Sequence, residues 1–261
     1  MRIFFEVIVR VKFQMTSHKK ITFPFRHSHI LQGLIYNFLE DKAAEWLHSE
    51  GFKYEKRSFK MFVFSDILEK AQIDKTKRMF IFPETISFYL ASPVDWILQQ
   101  AAQNLIRSEK VKLVNNICFI SSISVLKQEL VTDNKIRVKT LSPITIHSTF
   151  KKPDGKNITH YYSPFEKEFN ELINLNMKKK WESLYKKEYP YGNIIIKPMF
   201  DTNKKEKIRY FKNTLIKGWT GMFELTGEPE LLQFALNVGL GDRNSQGYGM
   251  VEVVRRVINY D

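Results

Sequence analysis

Residues 229–253 read PELLQFALNVGLGDRNSQGYGMVEV, and they order the end of the chain as helix, glycine-rich turn, strand. Pro229 to Val238 has the spacing of a short helix, and Gly249 to Val257 that of a closing strand. Between them stand Gly239, Gly241, Gly247 and Gly249. The dinucleotide fingerprint needs glycines at its first, third and sixth positions, after a strand and before a helix. Here the sixth position is Asn244 and the order of elements is reversed. No Gly-Lys-Ser/Thr ends the loop, so it is not a nucleotide P-loop either. Glycines accept positive φ and bring backbone N–H groups close to a ligand, where successive N–H groups can cradle an anion. Arg243 and Asn244 add a cation and an amide at the tip. A phosphate chain suits such a loop, and so does a tight turn packed on a neighbouring helix.

Upstream of that loop, Arg137 to Thr149 forms a strand pair around Ser142-Pro143. A helix follows, capped by Ser163-Pro164-Phe165-Glu166 and running to about Lys187. Strands over Asn193–Pro198 and Ile208–Leu225 come next, the second interrupted at Gly218-Trp219. Thr132 to Lys135 is a polar boundary. Before it the same order occurs once. A strand over Arg2–Phe13 places Ile3, Phe5, Val7 and Val9 on one face and Glu6, Arg10 and Lys12 on the other. A helix over Ser28–Leu39 and a second helical turn over Ala43–His48 end at Gly51. Strands over Lys60–Ser65, Arg78–Phe82 and Ile86–Ala91 lead to a helix capped by Ser92, with Pro93 in its first turn, ending near Ser108. Val111–Val125 is a strand broken near Asn115-Asn116. The fold class is α+β: two tandem ferredoxin-like (βαββαβ) units over residues 1–130 and 131–261, the glycine-rich loop lying before the last strand.

The chain carries 41 Lys and Arg against 28 Asp and Glu, a formal charge of +13, which attracts polyanions, nucleic acid or an anionic membrane, and is also what a lysine-rich proteome gives a cytoplasmic protein. Its 43% hydrophobic content supplies a core and excludes a disordered chain. A single cysteine, Cys118, sits in the apolar run Ile117–Ile120, which excludes an internal disulfide and a cysteine zinc site. MRIFFEVIVRVKF carries charges within its apolar run, so it reads neither as a signal peptide nor as a membrane span. The expectation is a cytoplasmic protein, monomeric or homodimeric, with no membrane partner.

Gly-x-Gly, five residues and Gly-x-Gly, followed at once by Met250-Val251-Glu252-Val253, resembles the C-terminal glycine-rich motif of the Cas-six endoribonucleases. These enzymes cut CRISPR precursor transcripts within each repeat, and the motif is shared with the wider repeat-associated RNA-binding superfamily. LQGLIY (31–36), WLHSEGF (46–52) and FKMFVFS (59–65) resemble the family's N-terminal unit; LSPITI (141–146) and YSPFEKEFNELI (162–173) resemble its C-terminal unit. The resemblance implies CRISPR repeat RNA as the partner, with other CRISPR-associated proteins as further candidates. It implies cleavage without metal or cofactor by attack of the 2′-OH, leaving 2′,3′-cyclic phosphate and 5′-OH ends. The alternative is a non-catalytic RNA-binding subunit of a ribonucleoprotein, which shares the loop and lacks the active site.

Such cleavage needs a base for the 2′-OH, an acid for the leaving 5′-oxygen and positive charge at the phosphate. The family's catalytic histidine falls on His48, its tyrosine on Tyr36 and its lysine on Lys60. His27 and His29, at the start of the first helix, are rivals, since some family members place the histidine there. His-x-His also suggests a metal pair, but no acidic or cysteine partner accompanies it. Arg26, Arg243 and Asn244, with Gly239, Gly241, Gly247 and Gly249, are the candidate RNA-binding residues. His160, beside Tyr161 and Tyr162, is a candidate base-stacking residue. Lys178–Lys180 and Lys186-Lys187, and the cluster Lys204, Lys205, Lys207, Arg209 and Lys212, could track a phosphate backbone or form solvated faces.

Overall fold

The structure is a computed structural model that describes residues 9–25, 27–127, 130–201, 205–211 and 214–254. Its first half comprises β1 (Val9–Thr16), β2 (Ile21–Pro24), α1 (Ser28–Asn37), α2 (Asp41–Ser49), β3 (Phe52–Tyr54), β4 (Arg57–Phe59) and β5 (Val63–Phe64). β6 (Gln72–Asp74), β7 (Met79–Phe82), β8 (Thr85–Ala91), α3 (Asp95–Arg107), β9 (Val111–Leu113) and β10 (Asn116–Lys127) complete it. The second half begins with β11 (Lys135–Thr140), β12 (His147–Lys151), β13 (Asn157–Tyr161), α4 (Lys167–Tyr185) and β14 (Ile195–Pro198). It continues through β15 (Glu206–Phe211), β16 (Thr214–Trp219), β17 (Met222–Thr226), α5 (Pro229–Val238), a 3-10 turn over Asn244–Gln246 and β18 (Val251–Val253).

Two antiparallel sheets organise an α+β fold. The first has the order β5-β8-β1-β10-β9 and the second β14-β17-β11-β18. In each, the strand that opens its half lies inside, flanked by the strands before and after the second long helix. β1 alternates as a half-buried strand must: Val11, Phe13 and Met15 point into a core shared with Leu31, Leu34 and Ile35 of α1. α3 buries Ile97, Leu98, Ala101 and Leu105 on one stripe, and α4 buries Phe169, Ile173, Met177 and Trp181 on another. Each Leu, Ile, Phe or Met side chain so removed from water contributes roughly 1.5–3 kcal/mol. Cys118 is buried in the first core, which pushes its thiol up to about 11.

The halves are tied through their interior. Arg10, expected on the solvent face of β1, is 2% exposed. Its guanidinium crosses to the second half and donates to the carbonyls of Leu236 and Val251. The approach of α5 and β18 covers Arg10 on that face, and alternation along one strand cannot announce a neighbour from residue 236. Met61 belongs to the core of the second half, and Val63, Ala91 and Met250 form a bridge of their own.

Several boundaries differ from the sequence reading. Ser92 does not cap α3, which starts at Asp95; its hydroxyl donates to Met61 O (2.7 Å) and accepts the Val94 N–H (3.0 Å), and Pro93 precedes the helix. α4 starts at Lys167, because the Glu166 carboxylate folds back to accept the Ser163 N–H (2.5 Å). The run 208–225 is not one interrupted strand. It breaks at Thr220-Gly221, and β15 pairs with β16 as a hairpin separate from the main sheet. β7 likewise pairs with β2 and β6 in a small sheet of its own. Ile3, Phe5, Val7, Arg26, Lys204, Lys212 and the residues after Val254 lie outside the described residues. Among the described residues, no helix is long and apolar enough to cross a membrane.

Candidate active site

α2 buries Leu47, which turns the next residue, His48, outward at the last turn. The helix ends where the Glu50 and Gly51 N–H groups both donate to Trp46 O at 2.8 Å, with Gly51 at φ +60°. The chain then runs out along β3 and back along β4, pairing Phe52 with Phe59. This hairpin returns Lys60 to the helix end it left. Its ammonium donates to His48 O (2.8 Å) and to Ser58 Oγ (3.0 Å). A cation at a helix C-terminus is favourably placed against the exposed carbonyls. Met61, at φ +52°, then bends the chain sharply inward.

Tyr36, two residues before the C-cap of α1, meets the same place from the other side. Its ring lies edge-on to His48, centroids 5.9 Å apart, and to Phe62 at 5.8 Å. Burial pushes the Tyr36 phenol up to about 12, and burial lowers the Lys60 ammonium from its usual value. The fold therefore brings Tyr36, His48 and Lys60 together from three elements. It sets His27 apart from them. His29 is exposed on α1. His27 lines a separate cleft of about 530 Å³ with Asp66, Phe80 and Arg209. Its ring stacks on Phe23 at 5.8 Å, and Nδ1 donates to Pro24 O at 3.2 Å. Burial, then nearby Arg209, lowers its pKa.

Lys60 also lines a second cleft, of about 380 Å³, whose far wall is the glycine-rich loop. The four glycines shape this loop through close packing at positive φ. A Cβ on Gly241 would stand 2.2 Å from Thr145 O, and one on Gly249 would stand 2.0 Å from Leu240 O. The N–H groups of Gly239, Gly247 and Gly249 donate to Ala235, Asn244 and Pro143 carbonyls, so they are committed to the turn. Arg243, at φ +56°, and Ser245 face the cleft, while Asn244 tethers the loop through Nδ2 to Leu240 O and Tyr248 O.

Behind the loop lies a residue that the sequence hid. Lys180 stands in a run that reads as basic surface, yet it is 3% exposed. Its ammonium donates to Gly239 O and Gly241 O, both at 2.8 Å, and burial lowers it to about 7 against the opposing pull of Asp242. The stripe Phe169, Ile173 and Met177 continues to position 180, so helical spacing carried the signal. His147, unassigned from sequence, faces the cleft beside Asp242. Several of the other candidates are paired. Arg209 forms a fork with Asp66 (2.7 and 2.5 Å), and His160 contacts Glu166 at 2.9 Å. Among the described residues, no three His, Cys, Asp or Glu side chains cluster as a metal set.

Residues 22–124 match the family model for the CRISPR-associated protein Cas6, N-terminal, and residues 126–253 match that for the CRISPR associated protein Cas6, C-terminal. The chain belongs to the Cas6 family. It is 29% identical over 238 residues to the CRISPR-associated endoribonuclease Cas6 of Pyrococcus furiosus, covering 88% of this chain and 83% of that one. It is 24% identical over 250 residues to the CRISPR-associated endoribonuclease Cas6 1 of Methanocaldococcus jannaschii, covering 93% and 92%. A solved Cas6-related protein from Pyrococcus furiosus superposes with a TM-score of 0.82 at 20% identity, over 95% of this chain and 99% of that one. A solved CRISPR associated protein Cas6 gives 0.75 at 24% identity, over 95% and 100%. Both the Tyr36–His48–Lys60 group and the glycine-rich loop fall inside the segments matched to Cas6.

Proposed function

We propose that this Cas6-family chain is an endoribonuclease that cleaves CRISPR precursor RNA within the repeat, without metal, by attack of a 2′-OH on its own phosphate. The observation that carries this reading is the convergence of Tyr36, His48 and Lys60, with Lys60 shared between that group and the loop-lined cleft. The reaction forms the 2′-O–P bond and breaks the P–O5′ bond. His48, outward-facing and reached by solvent, takes the 2′-OH proton. Tyr36, like any phenol, is protonated at neutral pH, and burial raises it further to about 12, so it acts as a donor near the leaving 5′-oxygen. Lys60 offsets the charge that builds on the phosphate. Arg243, Asn244 and the glycine-shaped loop form the facing wall that holds the RNA backbone.

The finer architecture fits the same reading: two tandem ferredoxin-like units, residues 1–130 and 131–261. The shared strand plan of the two main sheets supports it. The test is incubation of the purified protein with the repeat RNA of its own genome in EDTA, with product ends identified. We expect 2′,3′-cyclic phosphate and 5′-OH ends, no cleavage when the nucleotide at the cut is deoxyribose, and a loss of roughly 100- to 10,000-fold in single-turnover rate for His48→Ala with little change in binding. Full activity of His48→Ala would move the role to His27 or His29. Binding without any cleavage by the wild type would make the chain an RNA-binding subunit.

A further inference from the structure

The cleft beside Lys60 has a second wall whose chemistry the cleavage reaction does not use. His147 opens β12, and its Nδ1 lies 2.5 Å from Asp242 Oδ2. The contact is electrostatic, and Nδ1 makes no hydrogen bond among the described residues. Both side chains are largely covered, at 22% and 16% exposure, and Nδ1 itself is sealed from solvent. Asp242 is in turn fixed. Its N–H donates to Thr145 O at 2.9 Å, and Lys180 lies behind it, clamping the carbonyls on either side of Leu240. The His147 ring packs against Tyr161 at 5.3 Å, which fixes its plane.

A carboxylate at Nδ1 keeps the ring proton there and fixes the tautomer. The outer edge of the ring, with Nε2, is then the part left to face the cleft. His147 lines the cleft, and its Nδ1 side is the one closed off by Asp242. In its neutral form, an imidazole so held presents a single, rigid acceptor to the cleft. The group on an RNA strand that donates to such an acceptor at every nucleotide is the ribose 2′-OH, and it is the group that separates RNA from DNA. We propose that His147, oriented by Asp242, accepts a hydrogen bond from the 2′-OH of a nucleotide other than the one being cut, so that the cleft reads ribose at a second position. This rests on the reading of the cleft as an RNA site. His147 is a binding and positioning residue here, not one of the three groups assigned to the cleavage.

The test uses repeat RNAs that carry deoxyribose at the cut, to stop turnover, and one further deoxyribose at each other position in turn. Affinities are measured for the wild type and for His147→Asn. Asparagine keeps a donor where Nδ1 stands, against Asp242, and deletes only the reach of Nε2. We expect one position at which deoxyribose weakens wild-type binding about fivefold to tenfold and leaves the variant unaffected. A variant that weakens equally on every RNA, or one indistinguishable from the wild type throughout, overturns the proposal. Thermal denaturation of His147→Asn checks the fold; if it is lost, His147→Gln, which restores a polar atom near Nε2, must retain the position-specific penalty for the proposal to stand. Wild-type protein that binds none of these RNAs would instead sink the RNA reading of the cleft, an outcome distinct from the others.

Discussion

Gly51 turns the chain at φ +60°, and a Cβ there would stand 2.6 Å from Phe59 O and 3.2 Å from Lys60 Nζ. The residue thus governs two things at once, the end of α2 and the path of Lys60 to His48 O. Both the left-handed backbone and the carbonyl clash penalise a side chain. Gly51→Ala is expected to lose ~1–3 kcal/mol of stability and to displace Lys60. Urea unfolding measures the first, and single-turnover cleavage measures the second. An unchanged cleavage rate with reduced stability would separate Lys60 placement from the turn. Met61 works in the same manner one residue past Lys60, at φ +52°, where its buried side chain holds the bend in place. The signal for Gly51 was legible as a helix stop. Its contact with Lys60 was not, because that contact depends on how the β3–β4 hairpin closes.

At the scale of elements, the segment from α5 through the loop to β18 is held by packing that admits no side chain at four positions. Its carbonyls are gathered by one buried ammonium, that of Lys180. Gly241→Ala forces a Cβ to within 2.2 Å of Thr145 O, in a φ region that L-residues avoid, so the segment leading into β12 and the loop must separate. The expected cost is more than ~1 kcal/mol. Affinity for repeat RNA should fall with it, since His147 and Asp242 sit on the two sides of the disturbed contact. Denaturant titration and an RNA-binding isotherm on the same preparation check this; unaltered affinity would show that the loop and β12 hold RNA independently. The glycines were legible as a turn signature, and the Pro229–Val238 helix before them was legible to the residue. The β15–β16 hairpin was not, since its strands have the same alternation as the sheet strand β17 that follows.

At the scale of the molecule, buried ionisable groups set the response to alkali. Burial raises Tyr36, Tyr185, Tyr191 and Tyr248 to about 12, and raises Tyr189 further. A raised phenol stabilises the fold below the unfolded value of 10.0 and loses that contribution as pH climbs toward the folded value. Every tenfold difference in proton affinity between the folded and unfolded chain is worth ~1.4 kcal/mol, and solvent screening reduces this for the partly exposed Tyr189 and Tyr191. Lys180 acts in the opposite sense. With its ammonium lowered from 10.5 to about 7, the unfolded chain binds the extra proton in that interval, so stability rises with pH there. The urea midpoint should therefore rise gently above neutrality, then fall between pH 10 and 12 with tyrosinate absorbance appearing alongside unfolding. Lys180→Met should remove the rise and leave the fall. A midpoint that keeps rising to pH 12 would contradict the burial of these phenols.

The sequence by itself determined the α+β class and the order of helices and main strands, and it put forward Tyr36, His48 and Lys60 as candidates. Those readings depend on local spacing and on short segments matched to a family, which contact neighbours along the chain. The tertiary structure alone decided that Arg10 is an internal clamp, that Lys180 is the floor of the loop, and that His147 meets Asp242 across ninety-five positions. Charge forecasts a solvated side chain, and only the approach of a second element, with carbonyls or a carboxylate to answer that charge, makes burial the lower free energy. The loop at 229–253 shows both sides: its glycines announce a turn, and the partners that require them come from residues 143–145 and 63–64.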